Sequence, residues 1–130
     1  MRDLSHNISP ALSLPPAART ASANGTAVDL LGFGTAAMVV AFGGWTDGTH
    51  TPKLQESDNG SSGWTDVAPD DLAGSFTPLS SAAGQNGVQR VSYIGSKRYI
   101  RAVVTVAGAT TGALASVQVI RGNPSSEPVT

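Results

Sequence analysis

The side chains best suited to acid–base chemistry are the two histidines, His6 and His50. His50 follows Asp47 within residues 46–52, so one loop brings together a carboxylate and an imidazole. A serine hydrolase needs such a base within hydrogen-bonding distance of its nucleophile, with an acid behind it. The sequence has no G-x-S-x-G elbow, and Asp47 followed by Gly48 is typical of a turn. We therefore predict a loop rather than a catalytic site, and no enzymatic activity.

Two other patterns are formally similar to binding motifs. Residues 32–37 match G-x-G-x-x-A, the dinucleotide fingerprint, but that motif opens a helix and here an apolar, strand-like run follows. The acidic and amide residues of the middle region do not have the spacing of an EF-hand loop; they are Asp58, Asn59, Asp66, Asp70 and Asp71. Because the chain has no cysteine and only two histidines, we predict no cofactor and no metal centre. A lone calcium ion in the loops remains an open alternative.

Composition narrows the possible partners. The 130 residues suffice for one domain. Charged residues are only 13% of the chain and the formal net charge is -1, which argues against a nucleic-acid groove. Glycine and proline interrupt every apolar run before it reaches membrane-spanning length, and Asp3, His6 and Pro10 do not fit a cleaved leader. We expect a soluble domain with no nucleic-acid or membrane partner.

The basic residues are concentrated in the last third of the chain. They are Arg90, Lys97, Arg98, Arg101 and Arg121. Such residues occur at the solvent-facing ends of strands, where they also protect sheet edges, and they occur on faces that bind acidic partners. The sequence leaves both interpretations open.

Alternating apolar and polar residues indicate strands in the last third. The pattern predicts strands over residues 88–94, 98–107 and 113–121, separated by glycine-rich turns. In the middle strand one face is predicted to be buried, formed by Ile100, Ala102, Val104 and Val106. Upstream, residues 36–42 form a continuous apolar run that we interpret as a central strand, with a short helix as the alternative because Ala and Met favour helices.

Turn residues organise the middle of the chain. Residues 53–57 and 63–67 are predicted to form a hairpin in which Asn59 and Gly60 adopt positive φ angles. Residues 68–87 are predicted to be a long connection that crosses between sheets, with Leu72, Phe76 and Leu79 holding it to the core. With no convincing helix, the fold class is all-β: a β-sandwich or jelly-roll-like barrel over residues 26–121, with extended N- and C-terminal arms.

The N-terminal arm is assigned to residues 1–25 and the C-terminal tail to residues 122–130. The first segment mixes Pro, Ala and Ser, and the proline pair at 15–16 favours extended geometry. Its large aliphatics are unusual for a disordered tail, which is the alternative. Because we place them outside any strand, we predict that they dock on a neighbouring subunit; they are Leu4, Ile8, Leu12 and Leu14.

The two tryptophans receive different roles. Trp64 is predicted to lie in the core, whereas Trp45, beside Gly44 and a loop, is the better candidate for a contact surface. Trp45 therefore joins the four aliphatics of the arm in the predicted interface.

Two resemblances extend these expectations. Residues 54–67, with an S-D-x-G turn before a Trp strand, and residues 97–101 (KRYIR) resemble discoidin-like carbohydrate- or lipid-binding sandwiches. Residues 47–57, 93–99 and 104–112, and the chain as a whole, are similar to small virion proteins of tailed bacteriophages, and among these to capsid decoration, or cement, proteins.

The phage resemblance implies a non-enzymatic virion protein. It would be made in the bacterial cytoplasm, bind the major capsid protein on the outer head surface, stabilise the shell and form a homo-oligomer, a trimer or a dimer. The discoidin-like pattern implies the alternative, a glycan-binding module of the virion head or tail, with Trp45 stacking on a sugar ring.

Overall fold

The structure, a computed structural model, describes residues 3–125. Two antiparallel sheets form a sandwich, which confirms the predicted all-β class. Two short 3-10 turns, Pro69–Asp71 and Ala82–Gly84, interrupt the strands. In chain order the strands are β1 (Ile8–Arg19), β2 (Ala23–Asn24), β3 (Val28–Asp29), β4 (Phe33–Trp45), β5 (Thr49–Ser57), β6 (Thr65–Asp66), β7 (Leu72–Ala73), β8 (Val88–Tyr93), β9 (Tyr99–Ala107) and β10 (Ala113–Pro124).

The chain alternates between the two sheets. Sheet A has the order β1-β10-β4-β8-β7, and sheet B has the order β2-β9-β5-β6 with β3 also paired to β9. The apolar run at 36–42 is confirmed as part of a central strand, β4, and is not helical. The three strands predicted in the last third are confirmed as β8, β9 and β10. These three strands are consecutive in sequence, but β9 lies in sheet B whereas β8 and β10 lie in sheet A.

The core lies between the sheets and is built from alternate residues of the long strands. On β9 the predicted inward face is confirmed, because Ile100, Ala102 and Val104 are fully buried. Met38 of β4 and Val117 of β10 face them from sheet A and are equally buried. This alternation follows from the two-residue period of a strand with one face on the core.

The N-terminal segment belongs to the sandwich. β1 pairs antiparallel with β10 from Ile8, opposite Gly122, to Arg19, opposite Ala113. The expectation that Ile8, Leu12 and Leu14 lie outside any strand is therefore wrong. The physical reason is that the outer edge of β10 carries backbone N–H and C=O groups that need partners, and β1 supplies them.

Prolines obscured β1 in the sequence. Pro10, Pro15 and Pro16 all lie within the strand, where they are tolerated because β1 is the edge strand of sheet A. The pairing with β10 also shifts register between Leu12 and Leu14, and again between Leu14 and Ala17. Such bulges accommodate residues that cannot join a regular ladder.

The C-terminal strand is longer than predicted. β10 extends to Pro124, so the tail assigned to 122–130 begins inside a strand. Residues 126–130 of that tail, and residues 1–2 of the predicted arm, lie outside the described part of the chain.

The middle region follows the predicted plan with one difference. The β5–β6 hairpin is confirmed by pairing of Gln55 with Asp66. Gly60 has a positive φ of 77°, but Asn59 does not share this conformation; its side-chain Oδ1 instead accepts the N–H groups of Ser61 and Ser62, at 3.0 and 2.9 Å. The hairpin therefore closes through an asparagine-capped loop rather than the tight turn we predicted.

The long connection touches both sheets, as predicted. Its Leu72 lies in β7, which pairs with β8 of sheet A. Leu79 is buried and exchanges two backbone hydrogen bonds, each 2.8 Å, with His50 of sheet B. Phe76 packs partly buried against the core.

Candidate functional site

Asp47 organises a loop. Its Oδ1 accepts backbone N–H groups from Thr110, Thr111 and Gly112 at 3.1, 3.1 and 2.6 Å. These hydrogen bonds, that of Gly112 foremost, lower the pKa of the Asp47 carboxyl below its usual value. The hydrogen bonds of this carboxylate thus go to the β9–β10 connection rather than to the ring of His50.

His50 is a core residue at the start of β5. The expectation that it lies in a loop is wrong, because its backbone pairs with both β9 and Leu79. The ring is fully buried, and its Nε2 lies 3.0 Å from the backbone carbonyl oxygen of Asp47. Because a carbonyl only accepts hydrogen bonds, the ring proton sits on Nε2. Within residues 3–125 the other nitrogen, Nδ1, has no hydrogen-bond partner.

The second histidine is at the surface. His6 Nδ1 lies 2.5 Å from Asp3 Oδ2, and both side chains are exposed. This contact is the main cause of a lowered pKa for the Asp3 carboxyl. Asp3 and His6 therefore form an exposed acid–base pair in the segment before β1. Asp47 and His50 form no such pair, because the hydrogen bonds of the Asp47 carboxylate go to backbone N–H groups.

A cleft of about 360 Å³ lies at one end of the sandwich. One wall is the β3–β4 connection, including Leu31, together with Phe33 at the start of β4, and the other is the β8–β9 connection, including Lys97 and Arg98. Tyr93 lies between these walls. The cleft is therefore formed by two loops that the sequence analysis did not associate with each other.

Tyr93 is a structural donor in this cleft. Its hydroxyl donates to Glu56 Oε2 at 2.6 Å and accepts the backbone N–H of Lys97 at 2.9 Å. Burial, and then the Glu56 carboxylate, raise the pKa of the Tyr93 hydroxyl well above its usual value. Tyr93 stays protonated and joins β8 of sheet A to β5 of sheet B. Gly95 is required beside it, since a Cβ there would lie 2.5 Å from the hydroxyl oxygen.

The cations at the cleft are engaged within the chain. Arg98 forms a bidentate contact with Asp29, 2.8 Å for each nitrogen. This pairing lowers the pKa of the Asp29 carboxyl to about 2. Lys97 Nζ lies 3.0 Å from Asp58 Oδ2. Arg121 reaches across to the Asp29 carbonyl oxygen at 3.0 Å. Arg101 also makes an intramolecular hydrogen bond, to Gln55. Four of the five basic residues in the last third of the chain are thus engaged within the chain.

The two tryptophans are both half-buried but differ in their contact with the core. Trp64 is half-buried outside the core, and the Arg101 guanidinium lies over its ring at 4.5 Å. Its assignment to the core is wrong, because Arg101 occupies an outward position of β9 and attracts the ring to the outer face of sheet B. Trp45 packs partly buried against the core, and its Nε1 donates to the Gly48 carbonyl oxygen at 2.9 Å.

The five predicted interface residues occupy different environments. Leu4 is 65% exposed and Leu12 is 47% exposed. Ile8 and Trp45 are half-buried. Leu14 is only 3% exposed and belongs to the chain's own core. The set is therefore not one contiguous surface.

Three exposed aliphatics lie at the cleft end of sheet A, and we call them the apolar end: Leu4, Leu31 and Ile94. Leu4 precedes β1, Leu31 precedes β4 and Ile94 follows β8. Antiparallel pairing brings the starts of β1 and β4 and the finish of β8 to the same end of the sheet. Sequence reasoning identified only Leu4, because the common location of the other two depends on strand order.

No protein-family model matches the sequence, and no curated protein matches it. Among residues 3–125, no group of three or more His, Asp or Glu side chains is arranged to hold a metal ion. A helix long and apolar enough to cross a membrane is also absent from that part of the chain.

Proposed function

We propose that this protein is a non-enzymatic structural protein of a tailed-phage virion, a capsid decoration or cement protein. In this role it binds the major capsid protein on the outer surface of the head and stabilises the shell. It is made in the cytoplasm of the host bacterium and incorporated into the virion. The proposal rests on the sequence resemblance and on how the chain uses its polar groups.

The observation that carries the proposal is the contrast between engaged polar groups and exposed apolar ones. Asp47, Tyr93 and Glu56 lie in the segments that resemble phage proteins, and each makes hydrogen bonds that join loops or sheets. These groups build a scaffold rather than a reaction centre. At the apolar end, by contrast, Leu31 and Ile94 are more than half exposed.

Burial of the apolar end supplies the energy of attachment. Full burial of one Leu or Ile side chain contributes about 1.5–3 kcal/mol. A few such contacts per copy give weak binding, but a shell presents many equivalent sites, and copies that contact each other bind cooperatively. We assign the apolar end to the contact with the major capsid protein.

Cryo-microscopy of the parent particle tests this function. We expect density for the sandwich on the outer head surface, with the cleft end toward the shell. Density confined to the tail, or a virion without this chain, would refute the proposal.

A matched pair of variants tests the assigned contact. Leu31→Glu places a charge in the apolar end and is expected to reduce binding to undecorated heads, whereas Thr105→Glu adds the same charge on the exposed outer face of sheet B. Equal binding by the two variants would contradict the assignment of the apolar end to the capsid contact. It would not bear on whether the protein lies on the head surface, which cryo-microscopy decides.

The alternative is a glycan-binding module of the virion head or tail. One observation favours it: Trp64 lies on the outer face of sheet B beside Arg101, whose guanidinium donates to Gln55 Oε1 at 2.7 and 2.9 Å. An aromatic ring next to hydrogen-bonding side chains suits a sugar. A glycan array tests it with the wild type and Trp64→Ala; the alternative requires a bound glycan that the variant loses.

A further inference from the structure

We propose that the outer face of sheet A is a self-association surface, on which a second copy of this chain packs face to face about a two-fold axis. The inference rests on the sheet itself and does not depend on the phage assignment.

Strand registers bring weakly polar side chains together on this face. Because Met38 and Val40 point into the core, the residues between them on β4 point outward. One cross-strand row consists of Leu12, Gln118, Val39 and Arg90, from β1, β10, β4 and β8. The adjacent row consists of Pro10, Ile120, Ala37 and Ser92. Five of these eight side chains are apolar, and each of the two rows contains at least two of them.

Charge distinguishes the two outer faces. Among the outward positions of β1, β10, β4 and β8 that the structure describes, Arg90 is the one charged residue. The outer face of sheet B instead carries Lys53, Asp66 and Arg101, linked through Gln55. Solvated faces of antiparallel sheets are normally polar. Sheet B has the outer face expected for contact with water, and sheet A has one suited to contact with protein.

Exposed aliphatics also lie on the sheet A face. Leu12 of β1, Leu114 of β10 and Val88 of β8 are 47%, 51% and 69% exposed. They are on different strands and at different heights along the sheet, so the apolar character extends over the face rather than forming a point contact.

The size of the face matches a small dimer interface. Four strands about 4.8 Å apart, over about eight residues at roughly 3.4 Å each, form a face of about 500 Å². A pair would bury about 1,000 Å², which is near the lower limit for a specific protein interface. Face-to-face packing of two such sheets is a common arrangement, with strands crossing at roughly 30°.

The polar groups of the face are compatible with a second copy. Near the centre are Gln118 and Ser116, whose side chains both donate and accept hydrogen bonds, so each can pair with its own equivalent. A two-fold axis along the strands, between β10 and β4, would place Arg90 of each copy over β1 of the other. The two like charges then lie at opposite margins of the interface.

Sedimentation velocity over a wide concentration range tests the proposal. We expect the wild type to be a monomer–dimer mixture, and Gln118→Glu to raise the dimer Kd by roughly tenfold or more because two carboxylates approach the axis. Thr105→Glu adds the same charge to sheet B and should leave the Kd unchanged. Circular dichroism of both variants confirms that the fold is retained.

Cross-linking supplies a second measurement. Because the chain has no cysteine, Gln118→Cys and Thr105→Cys each introduce a unique thiol. We expect Gln118→Cys to form a disulfide-linked dimer on mild oxidation much faster than Thr105→Cys. A wild type that is monomeric at all concentrations, a stoichiometry other than two, or a dimer equally sensitive to both glutamate variants would overturn the proposal.

Discussion

Ser13 Oγ accepts a hydrogen bond from the backbone N–H of Ala102 at 3.0 Å, and it donates one to the carbonyl oxygen of Thr26 at 2.9 Å. Ser13 lies in β1 of sheet A and Ala102 in β9 of sheet B. The short strands β2 and β3 both pair with β9, and Ala102 lies in the gap between the two paired stretches. The serine hydroxyl fills that gap, so one buried side chain links the edges of both sheets.

We predict that Ser13→Ala lowers the free energy of unfolding by about 1–3 kcal/mol, because it leaves a buried N–H without an acceptor. Denaturant titration followed by circular dichroism measures the change. Ser75→Ala, at an exposed loop position, is the control and should stay within about 0.5 kcal/mol of the wild type. Equal stability of the two variants would show that Ser13 does not join the sheets in solution.

Two leucines of β1 should respond differently to truncation. Leu14→Ala removes a buried side chain from the core and should cost about 2–5 kcal/mol, whereas Leu12→Ala, at a 47% exposed position, should cost less than about 1 kcal/mol. Thermal and denaturant unfolding at low protein concentration, where self-association is negligible, compares them. A small effect of Leu14→Ala would indicate that this segment is an extended arm outside the domain, as the sequence alone predicts, and not strand β1 of the sandwich.

Two glycines of the β9–β10 connection form another matched pair. Gly108 and Gly112 have positive φ angles of 67° and 83°, but a Cβ on Gly112 would run into the carbonyl oxygen of Arg19, whereas no heavy atom lies within 4 Å of a Cβ on Gly108. We predict that Gly108→Ala costs about 1–2 kcal/mol from backbone strain alone. Gly112→Ala should cost clearly more. Similar melting temperatures for both variants would argue against the close approach of β1.

The Asp29–Arg98 pair should make stability depend on acid. The folded pKa of Asp29 is about 2, below the ordinary 3.8. The carboxylate therefore stabilises the fold above about pH 4, and this contribution disappears as the pH falls from about 4 to about 2. Both side chains are at least 40% exposed, so we expect less than about 1 kcal/mol.

Comparison of the wild type with Asp29→Asn from pH 6 to pH 2 measures this contribution. The wild type should be more stable at pH 6, and the difference should shrink toward zero at pH 2. NMR titration of the Asp29 carboxyl supplies the pKa directly, and a value near 4 would contradict the pairing.

Local sequence signals determined the all-β class and most of the strands. The alternation around Ile100 and Val104 predicted which face of β9 is buried, because a two-residue period with one apolar face is stable only against a core. The apolar run containing Met38 likewise predicted a central strand, since such a strand is covered on both edges and one face. The lack of cysteine, known from the composition, left packing and hydrogen bonds to hold the fold.

Strand partners and surface environments were decided only by the tertiary structure. Nothing local in a proline-rich segment shows that β10, whose paired residues lie 94 to 114 positions later in the chain, has an open edge that such a segment can cover. Ser13 could be recognised as a link only once β9 was seen beside it. Trp64 lies on the outer face of sheet B rather than in the core, because the guanidinium of Arg101, which is distant in sequence, lies over its ring there. A period-two pattern specifies which side of a strand is buried, but pairing depends on long-range contacts whose energies no short segment contains.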